Sequence, residues 1–218
     1  MSSSRCDLVF QIIEMEDIVM NRKYDRVYQF KITLIRIKPP IWRRIQVPEI
    51  YTFWDLHVAI QDSMGWTDTH LHHFWIKNPA TAIREEVGIP DEDLIDMAIL
   101  PGWKRKIANY FSSQNDKAEY IYDYGDDWRH SIKLEKILER SEGIDYPICT
   151  RGARACPPED CGGIWGYQNF LEAIMDSRNP QHEELLDWVG GDFNSEFFDV
   201  KDVIFDDPKK RLQYALHE

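Results

Sequence analysis

The sequence predicts an α+β fold with a mostly antiparallel sheet built from β-hairpins. One capped helix follows the first hairpin, and the C-terminal region is helical. Apolar and polar residues alternate along residues 28–47 and again along residues 119–137, which is the periodicity of strands. Segments after residue 165 instead have apolar residues at helical spacing. Strands that are segregated from helices in this way are typical of α+β architecture.

The first predicted element is a β-hairpin. Its outgoing strand is YQFKITLIRI, residues 28–37, in which apolar side chains alternate with polar ones. Pro39 and Pro40 cannot continue a ladder of backbone hydrogen bonds, so they predict the turn. In the returning strand IWRRIQV, Arg43 shares a face with the apolar residues. This pattern predicts an edge or rim position for Arg43.

A helix over residues 52–66, TFWDLHVAIQDSMGW, is the clearest local prediction. Thr52 is a favourable N-cap, and Asp55 three residues later makes a variant of the capping box. Gly65 suits the residue that ends a helix in the left-handed conformation. The apolar residues between these caps fall on one stripe. A further strand is predicted over HLHHFWIK, residues 70–77.

The middle of the chain is predicted to be a long connection followed by a second hairpin. Residues 78–103 have little pattern, and only a short turn or helix near residues 91–97 is expected there. Alternation returns over residues 119–137 and directs Trp128 and His130 to the apolar face. The dipeptide Gly125-Asp126 supplies the positive φ angles of a tight hairpin turn.

Helices are predicted for the C-terminal part. The segments GYQNFLEAIMDS, QHEELLDWV and DPKKRLQYALHE have helical spacing, whereas FFDVKDVIF is compatible with a strand or a helix. A loop rich in proline and glycine, TRGARACPPEDCGG, precedes them. The sequence has no convincing linker. We therefore expect an N-terminal extension over residues 1–25 and a single domain over residues 26–216.

The composition restricts the classes of partner. The 218 residues carry a net charge of −12, which disfavours nucleic acid because phosphate binding needs a basic surface. Eight Trp, ten Tyr and ten Phe predict a bulky core, with an aromatic-walled groove as a further possibility. The chain has no apolar window of about 18 residues and no signal peptide pattern, which predicts a cytoplasmic protein without a membrane segment.

A polar cluster is the main candidate site. The stretch YIYDYGDDWRHSI, residues 120–132, combines carboxylates with an imidazole, and HLHH places His70 and His72 on one face of a nearby strand. Such groups can bind a divalent metal or act as acid and base. The alternative is structural, since Asp and Gly are common turn formers and histidines beside aromatic rings often only pack. The candidate residues are His70, His72, Asp123, Asp126, Asp127, His130, Glu159 and Asp160.

The cysteines form a second candidate site. Cys149, Cys156 and Cys161 have the spacings C-x6-C and C-x4-C, and only the second approaches that of a zinc knuckle. Cys6 or a histidine would have to complete a four-ligand site. The alternative is that these residues are free, buried packing cysteines.

No signature of a common enzyme is present. The chain lacks G-x-S-x-G, H-E-x-x-H and the nucleotide-binding glycine patterns. The glycines of CGGIWGY could leave backbone N–H groups free for an anion at a helix start, but they match no phosphate-binding motif.

Several segments together resemble a known family. YQFKITLIRIKPPIWRRIQVP, HLHHFWI, YIYDYGDDWRHSIKLEKI and CPPEDCGGIWGYQNFLEAI, in this order, are similar to the Ri-plasmid pRiA-type ORF-three-like family. Its members are also described as insertion-element passenger proteins that resemble TnpR. The resemblance runs from about Tyr28 to about Leu212 and implies a compact α+β domain. It implies no particular reaction, cofactor or catalytic residue.

These observations lead to three hypotheses. The first is a binding or accessory module without established catalysis, most consistent with a protein partner, which serves a mobile element or its host. The second is a metal-dependent enzyme that uses the Asp/His cluster of the 120–132 hairpin and the 70–76 strand. The third is a DNA-associated factor that uses Arg36, Arg43 and Arg44 as phosphate contacts.

Overall fold

The structure is a computed structural model that describes residues 24–90 and 98–216. The predicted extension over residues 1–25 lies outside this range except for its last two residues. The predicted turn or helix near residues 91–97 also lies outside the described residues. Within the described part, the chain has the α+β architecture that the sequence predicts.

A single eight-stranded sheet forms the centre of the described structure. Its strands are β1 (Arg26–Leu34), β2 (Trp42–Pro48), β3 (His72–Lys77), β4 (Arg84–Gly88), β5 (Leu100–Pro101), β6 (Lys117–Tyr122), β7 (Trp128–Glu139) and β8 (Ile148–Ala153). The order across the sheet is β5-β4-β3-β6-β7-β1-β2-β8. Every pair of neighbours is antiparallel except β4 and β5.

Four helices complete the described structure. They are α1 (Phe53–Met64), α2 (Gly163–Met175), α3 (His182–Trp188) and α4 (Pro208–Ala215). These match the four predicted helical segments, so the helical C-terminal region is confirmed. No helix within residues 24–90 and 98–216 is long and apolar enough to cross a membrane.

The ends of α1 are fixed by local side chains, as predicted. The hydroxyl of Thr52 accepts a hydrogen bond from the backbone N–H of Asp55, and the Asp55 carboxylate accepts one from the N–H of Thr52. This reciprocal capping box satisfies donors that a helix start leaves free. Gly65 ends the helix with φ at 87°.

Aromatic side chains of α1 and the sheet dominate the core. The ring of Phe53 on α1 meets the ring of Phe74 on β3 at a centroid distance of 5.2 Å. The Phe74 ring in turn lies 4.7 Å from Tyr120 on β6. Trp128, His130, Ile132 and Leu134 of β7 are all buried on this face, as the alternation predicts. One face of the sheet is therefore the core, and α1 covers it.

Arg43 is not at a rim, so that prediction is wrong. Strand β2 lies between β1 and β8, and Arg43 is only 1% exposed. Its guanidinium donates hydrogen bonds to the carbonyl oxygens of Ser63, Trp42 and Ala153, at 2.7–3.1 Å. The ring of Phe198 lies 3.8 Å from the guanidinium carbon. Because these contacts satisfy the guanidinium, Arg43 can be buried, and it is not available to contact DNA.

The structure also contains strands that the sequence pattern did not reveal. The connection over residues 78–103 includes β4 and β5, and the loop before α2 includes β8. These strands are short and lie at the two ends of the sheet. An edge strand contributes fewer buried side chains, so its alternation is weak. The segment FFDVKDVIF forms only one 3₁₀ turn, Val200–Asp202.

Candidate functional site

Three segments that carry the candidate residues meet at one end of the sheet. They are the segment just before β3, the loop between β6 and β7, and the loop that enters α2. Direct side-chain contacts join each of them to at least one other, as the following geometry shows. The structure therefore brings together motifs that are far apart in the sequence.

The loop between β6 and β7 is shaped by aspartates. Its positive φ angles belong to Asp123 (57°) and Asp127 (52°), so the prediction that Gly125-Asp126 supplies them is wrong. Oδ1 of Asp123 accepts hydrogen bonds from the N–H groups of Gly125 at 2.8 Å and Asp126 at 3.3 Å. A side chain that accepts from the backbone two residues later stabilises a turn and tolerates left-handed geometry. The first role of Asp123 is thus to brace the loop.

The next two aspartates hold the loop in place. Oδ2 of Asp126 accepts a hydrogen bond from the N–H of Gly162 at the start of α2, at 3.1 Å. The helix start at which the sequence could leave N–H groups free for an anion therefore meets a carboxylate of the chain itself. Asp127 pairs with Arg129, whose Nε lies 2.8 Å from Oδ1.

Glu159 ties the loop before α2 to the sheet. Its carboxylate accepts hydrogen bonds from the hydroxyl groups of Tyr122 and Thr67, and from the Thr67 N–H at 2.8 Å. Burial raises the pKa of Tyr122, and the hydrogen bond to Glu159 raises it further. The phenol therefore stays protonated and acts as a donor.

His70 forms a half-exposed cluster with two carboxylates. Its Nε2 lies 2.9 Å from Oδ1 of Asp160 and 3.6 Å from Oδ2 of Asp123. One ligand atom from each of these residues lies within 4.8 Å of the others, close enough to bind a metal. The Asp160 side chain is 67% exposed, so solvent reaches the cluster freely.

His72 and His130 lie elsewhere. Strand β3 begins at His72, whose ring stacks on His57 of α1 with a centroid distance of 3.4 Å. His130 is fully buried against Trp66 and Tyr120, and its burial lowers its pKa to about 3. A neutral imidazole in the core is a packing residue. The candidate residues therefore separate into several environments, which does not support one shared Asp/His metal cluster.

A second set of polar side chains was missed by the sequence reasoning. His57, Gln61, Asp68 and Tyr120 form a largely buried group next to His72. His57 and Gln61 stand four residues apart within the apolar stripe of α1, so both face the sheet. Two polar residues at this spacing on a buried stripe were the signal from which the sequence could have predicted this group.

The cysteines do not form a metal site in the described structure. Two groups of His, Cys, Asp or Glu side chains there are close enough to hold an ion, and neither contains a cysteine. Cys149, Cys156 and Cys161 are free thiols. Burial raises the pKa of all three, to about 12 for Cys161. Cys6 lies outside the described residues, so the predicted zinc site receives no support.

A groove opens beside the His70 cluster, between α2 and α3. It has a volume of about 420 Å³, and Asp160 lies at its rim. Phe170, Leu185 and Trp188 supply apolar surface, and Glu184 supplies a second carboxylate. Trp188 contacts Phe170 edge to face at 5.8 Å and remains 46% exposed. The groove thus combines an aromatic wall with negative charge.

The comparisons with known proteins identify relatives but no activity. A chain in Sinorhizobium fredii (strain NBRC 101917 / NGR234), described as uncharacterized protein y4hQ, is 36% identical over 173 residues, covering 78% of this chain and 84% of that protein. A crystal structure of a protein of unknown function, MM3350 from Methanosarcina mazei Go1, is 47% identical. It superposes with a TM-score of 0.78, covering 84% of this chain and all of that one.

The family assignment agrees with the resemblance seen in the sequence motifs. A sequence model of the plasmid pRiA4b ORF-3-like proteins matches residues 26–202. The matched range includes the whole sheet, α2, α3 and every candidate site residue. Since this range covers most of its length, the chain belongs to the plasmid pRiA4b ORF-3-like family.

Proposed function

We propose that the chain is a binding module that accepts a basic segment of a protein partner in the groove between α2 and α3. The observation that carries this proposal is the composition of the groove. Its described lining includes the carboxylates of Asp160 and Glu184 and contains no Lys or Arg. An aromatic wall beside carboxylates suits a side chain that is both cationic and partly apolar.

Long-range electrostatics favour the same partner. The whole chain carries a net charge of −12 and therefore attracts basic partners from solution. Trp165 on the first turn of α2 is 79% exposed, which leaves a large apolar side chain available on the same helix. Trp and Tyr residues frequently anchor protein interfaces.

A catalytic role has less support. The two relatives described above are an uncharacterized protein and a protein of unknown function, and the candidate carboxylates mainly accept hydrogen bonds from the surrounding loops. Because Asp160 lines the groove and pairs with His70, we infer that these two residues help to orient a partner there. We therefore assign these residues to recognition rather than to chemistry.

The test is binding of short peptides that carry Arg or Lys beside one Leu or Trp. Isothermal titration calorimetry should detect them, and the dissociation constant should rise with salt concentration because the contact is partly electrostatic. Glu184→Lys should weaken binding at least about tenfold, a change of ~1.4 kcal/mol. Trp188→Ala should weaken binding to a similar extent by removing the aromatic wall.

Glu172→Lys is the matched control. Glu172 is an exposed residue of α2 that does not line the groove, so this variant changes the net charge equally. It should leave the dissociation constant within about twofold. Equal losses in the two lysine variants, or equally tight binding of peptides with Glu in place of Arg and Lys, would show that the groove does not recognise a basic segment.

We also infer a cytoplasmic location and a role connected with a mobile element. The three described cysteines are free thiols, which is usual in a reducing compartment. The family is named after a plasmid open reading frame. Labelling intact cells with a membrane-impermeant thiol reagent should leave the chain unmodified, whereas the same reagent should label it after lysis in denaturant, which exposes the buried thiols. Labelling before lysis would contradict the cytoplasmic location.

A further inference from the structure

A second cluster of potential ligands lies in the core between α1 and β3. It consists of His57 on α1, Asp68 in the loop after α1, and His72 at the start of β3. One ring nitrogen of each histidine and one oxygen of Asp68 lie within 4.8 Å of one another. His57 is fully buried, and His72 is 1% exposed. Two imidazoles and one carboxylate are a ligand set that suits zinc and related transition metals.

Two buried nitrogens in this cluster have no hydrogen-bond partner among residues 24–90 and 98–216. Nδ1 of His72 is one of them, and Nε2 of His57 is another. Nε2 of His57 lies 2.8 Å from Oδ1 of Asp68, but the direction is unsuitable for a hydrogen bond. Buried polar atoms of native proteins almost always have a partner. Unpartnered nitrogens beside a carboxylate indicate that the cluster accepts a cation.

The groups around the cluster orient it. Nδ1 of His57 lies 2.8 Å from the hydroxyl of Tyr120, which also accepts a hydrogen bond from Gln61. A second partner on the other ring nitrogen fixes the orientation of a metal-binding histidine. Arg211 on α4 lies 3.7 Å from Oδ2 of Asp68 and limits the movement of that carboxylate.

The surface cluster of His70, Asp123 and Asp160 lacks these features. Oδ1 of Asp123 already accepts two backbone hydrogen bonds, and Nε2 of His70 is hydrogen-bonded to Asp160. Exposed carboxylates are also well solvated without an ion. The two histidines of HLHH that the sequence assigns to one site therefore belong to two different sites.

We propose that His57, Asp68 and His72 bind one divalent transition metal, with zinc as the first candidate. Ligands that lie 2.8 Å apart subtend about 90° at an ion placed ~2.0–2.1 Å from each. The two imidazoles are parallel to within 6°, so the His72 ring has to tilt for both nitrogens to face one ion. Three protein ligands leave at least one position for water or another small ligand. This site is independent of the groove.

The charge of the cluster supports the assignment. Asp68 brings one negative charge to the group, which offsets part of the charge of a divalent ion.

The test uses the purified full-length chain after removal of metal with a chelator. Titration calorimetry with Zn²⁺ should give one ion per chain, and the thermal unfolding midpoint should rise because the ion binds the folded state. Co²⁺ should give the visible absorption of a site with nitrogen ligands. His72→Gln should weaken Zn²⁺ binding at least about a hundredfold, and Tyr120→Phe, which keeps all three ligands, by roughly tenfold.

His70→Gln is the control because it removes the histidine of the other cluster. It should leave the affinity for Zn²⁺ within about twofold. A folded wild-type chain that binds no Zn²⁺ at micromolar concentration would overturn the proposal. Unchanged binding in Tyr120→Phe, or loss of binding in His70→Gln, would also overturn it, and both variants are expected to fold because each changes few contacts.

Discussion

At the scale of single residues, the structure is notable for polar side chains in an aromatic core. His57, His72, His130 and Arg43 are almost completely buried. Each of these costs desolvation energy unless its environment compensates for it. Arg43 has three carbonyl acceptors, whereas burial lowers the pKa of His72 and of His130, so these two imidazoles stay neutral. The histidines therefore lead to a prediction about the pH dependence of stability, and Arg43 leads to a prediction about mutation.

The pH dependence of stability should reveal His130. Its pKa is about 3 in the folded protein and ~6.5 in an unfolded chain, so the unfolded state binds more protons between these values. The free energy of unfolding should therefore fall as the pH falls through this window, by about 1.4 kcal/mol per pH unit for this group. His130→Phe should reduce the slope by nearly that amount in urea unfolding between about pH 5.5 and pH 4, where the unfolded imidazole is protonated and the folded one is not.

The control for His130→Phe is Ser131→Ala, which changes the next residue on the same strand, an exposed one. It alters no titratable group and should leave the slope unchanged. A His130→Phe variant with the wild-type slope would mean that other groups determine the loss of stability in acid.

Arg43 should be essential for stability despite its charge. Arg43→Met removes the guanidinium donor from three carbonyl oxygens, each at a cost of about 1–3 kcal/mol if the oxygen is left unsatisfied. We expect a total loss of about 3–5 kcal/mol in chemical denaturation. Arg44→Met removes the ion pair to Glu135 on the other face of the sheet and should cost only about 1 kcal/mol. Similar losses in the two variants would contradict this account.

At the scale of elements, the loop that enters α2 acts as a clasp over the end of the sheet. It is joined to the β6–β7 loop through the hydrogen bond between Asp126 and Gly162, and to the segment before β3 through Glu159. Gly163 lies so close to the β6–β7 loop that a Cβ atom there would be 2.6 Å from the carbonyl oxygen of Asp126. Position 163 therefore requires glycine for two reasons: a side chain would collide with Asp126, and the backbone has a positive φ angle.

A pair of alanine substitutions separates these two requirements. Gly163 and Gly143 both have positive φ, at 66° and 73°, so alanine costs about 1–2 kcal/mol at either position. Only Gly163 has backbone atoms within the reach of a new Cβ atom. We expect Gly163→Ala to lose about 1–3 kcal/mol more than Gly143→Ala in urea unfolding. Equal losses would indicate that the clasp can move aside.

The elements differ in how far the sequence alone could predict them. Helix α1 was predicted with its caps because Thr52, Asp55 and Gly65 act within a few residues. Strands β4 and β8 were missed because pairing at the ends of the sheet, rather than local pattern, creates them. The residue types alone identified the candidate polar residues in the sequence. The sequence did not show that these residues divide between two clusters. His70 and His72 are two residues apart, and only the tertiary contacts to Asp160 and His57 separate them.

At the scale of the whole molecule, β7 joins two parts of the sheet. On one side of it lie β6, β3, β4 and β5, and on the other lie β1, β2 and β8. Its long ladders with both β1 and β6 run through the centre of the core. Among the described strands, the backbone hydrogen bonds of the sheet therefore connect the first hairpin to β3, β4, β5 and β6 through β7 alone.

A fragment over residues 1–127, which ends just before β7, should not fold cooperatively. It keeps α1 and six of the eight described strands, but no strand pairing among the described residues joins its two groups of strands. Thermal unfolding followed by circular dichroism should be broad for the fragment and sharp for the full chain. A sharp transition in the fragment would show that α1 alone can hold the two parts together.

The position of β7 also has a consequence for synthesis on the ribosome. Strand β1 is complete at Leu34, but its second neighbour begins only at Trp128, roughly a hundred residues later. At about 5–20 residues per second, the newly made hairpin waits roughly 5–20 s with one edge of an apolar strand unpaired. Nascent chains that pause in this interval should be the ones that recruit chaperones, and a slower translation rate before Trp128 should lower the yield of native protein.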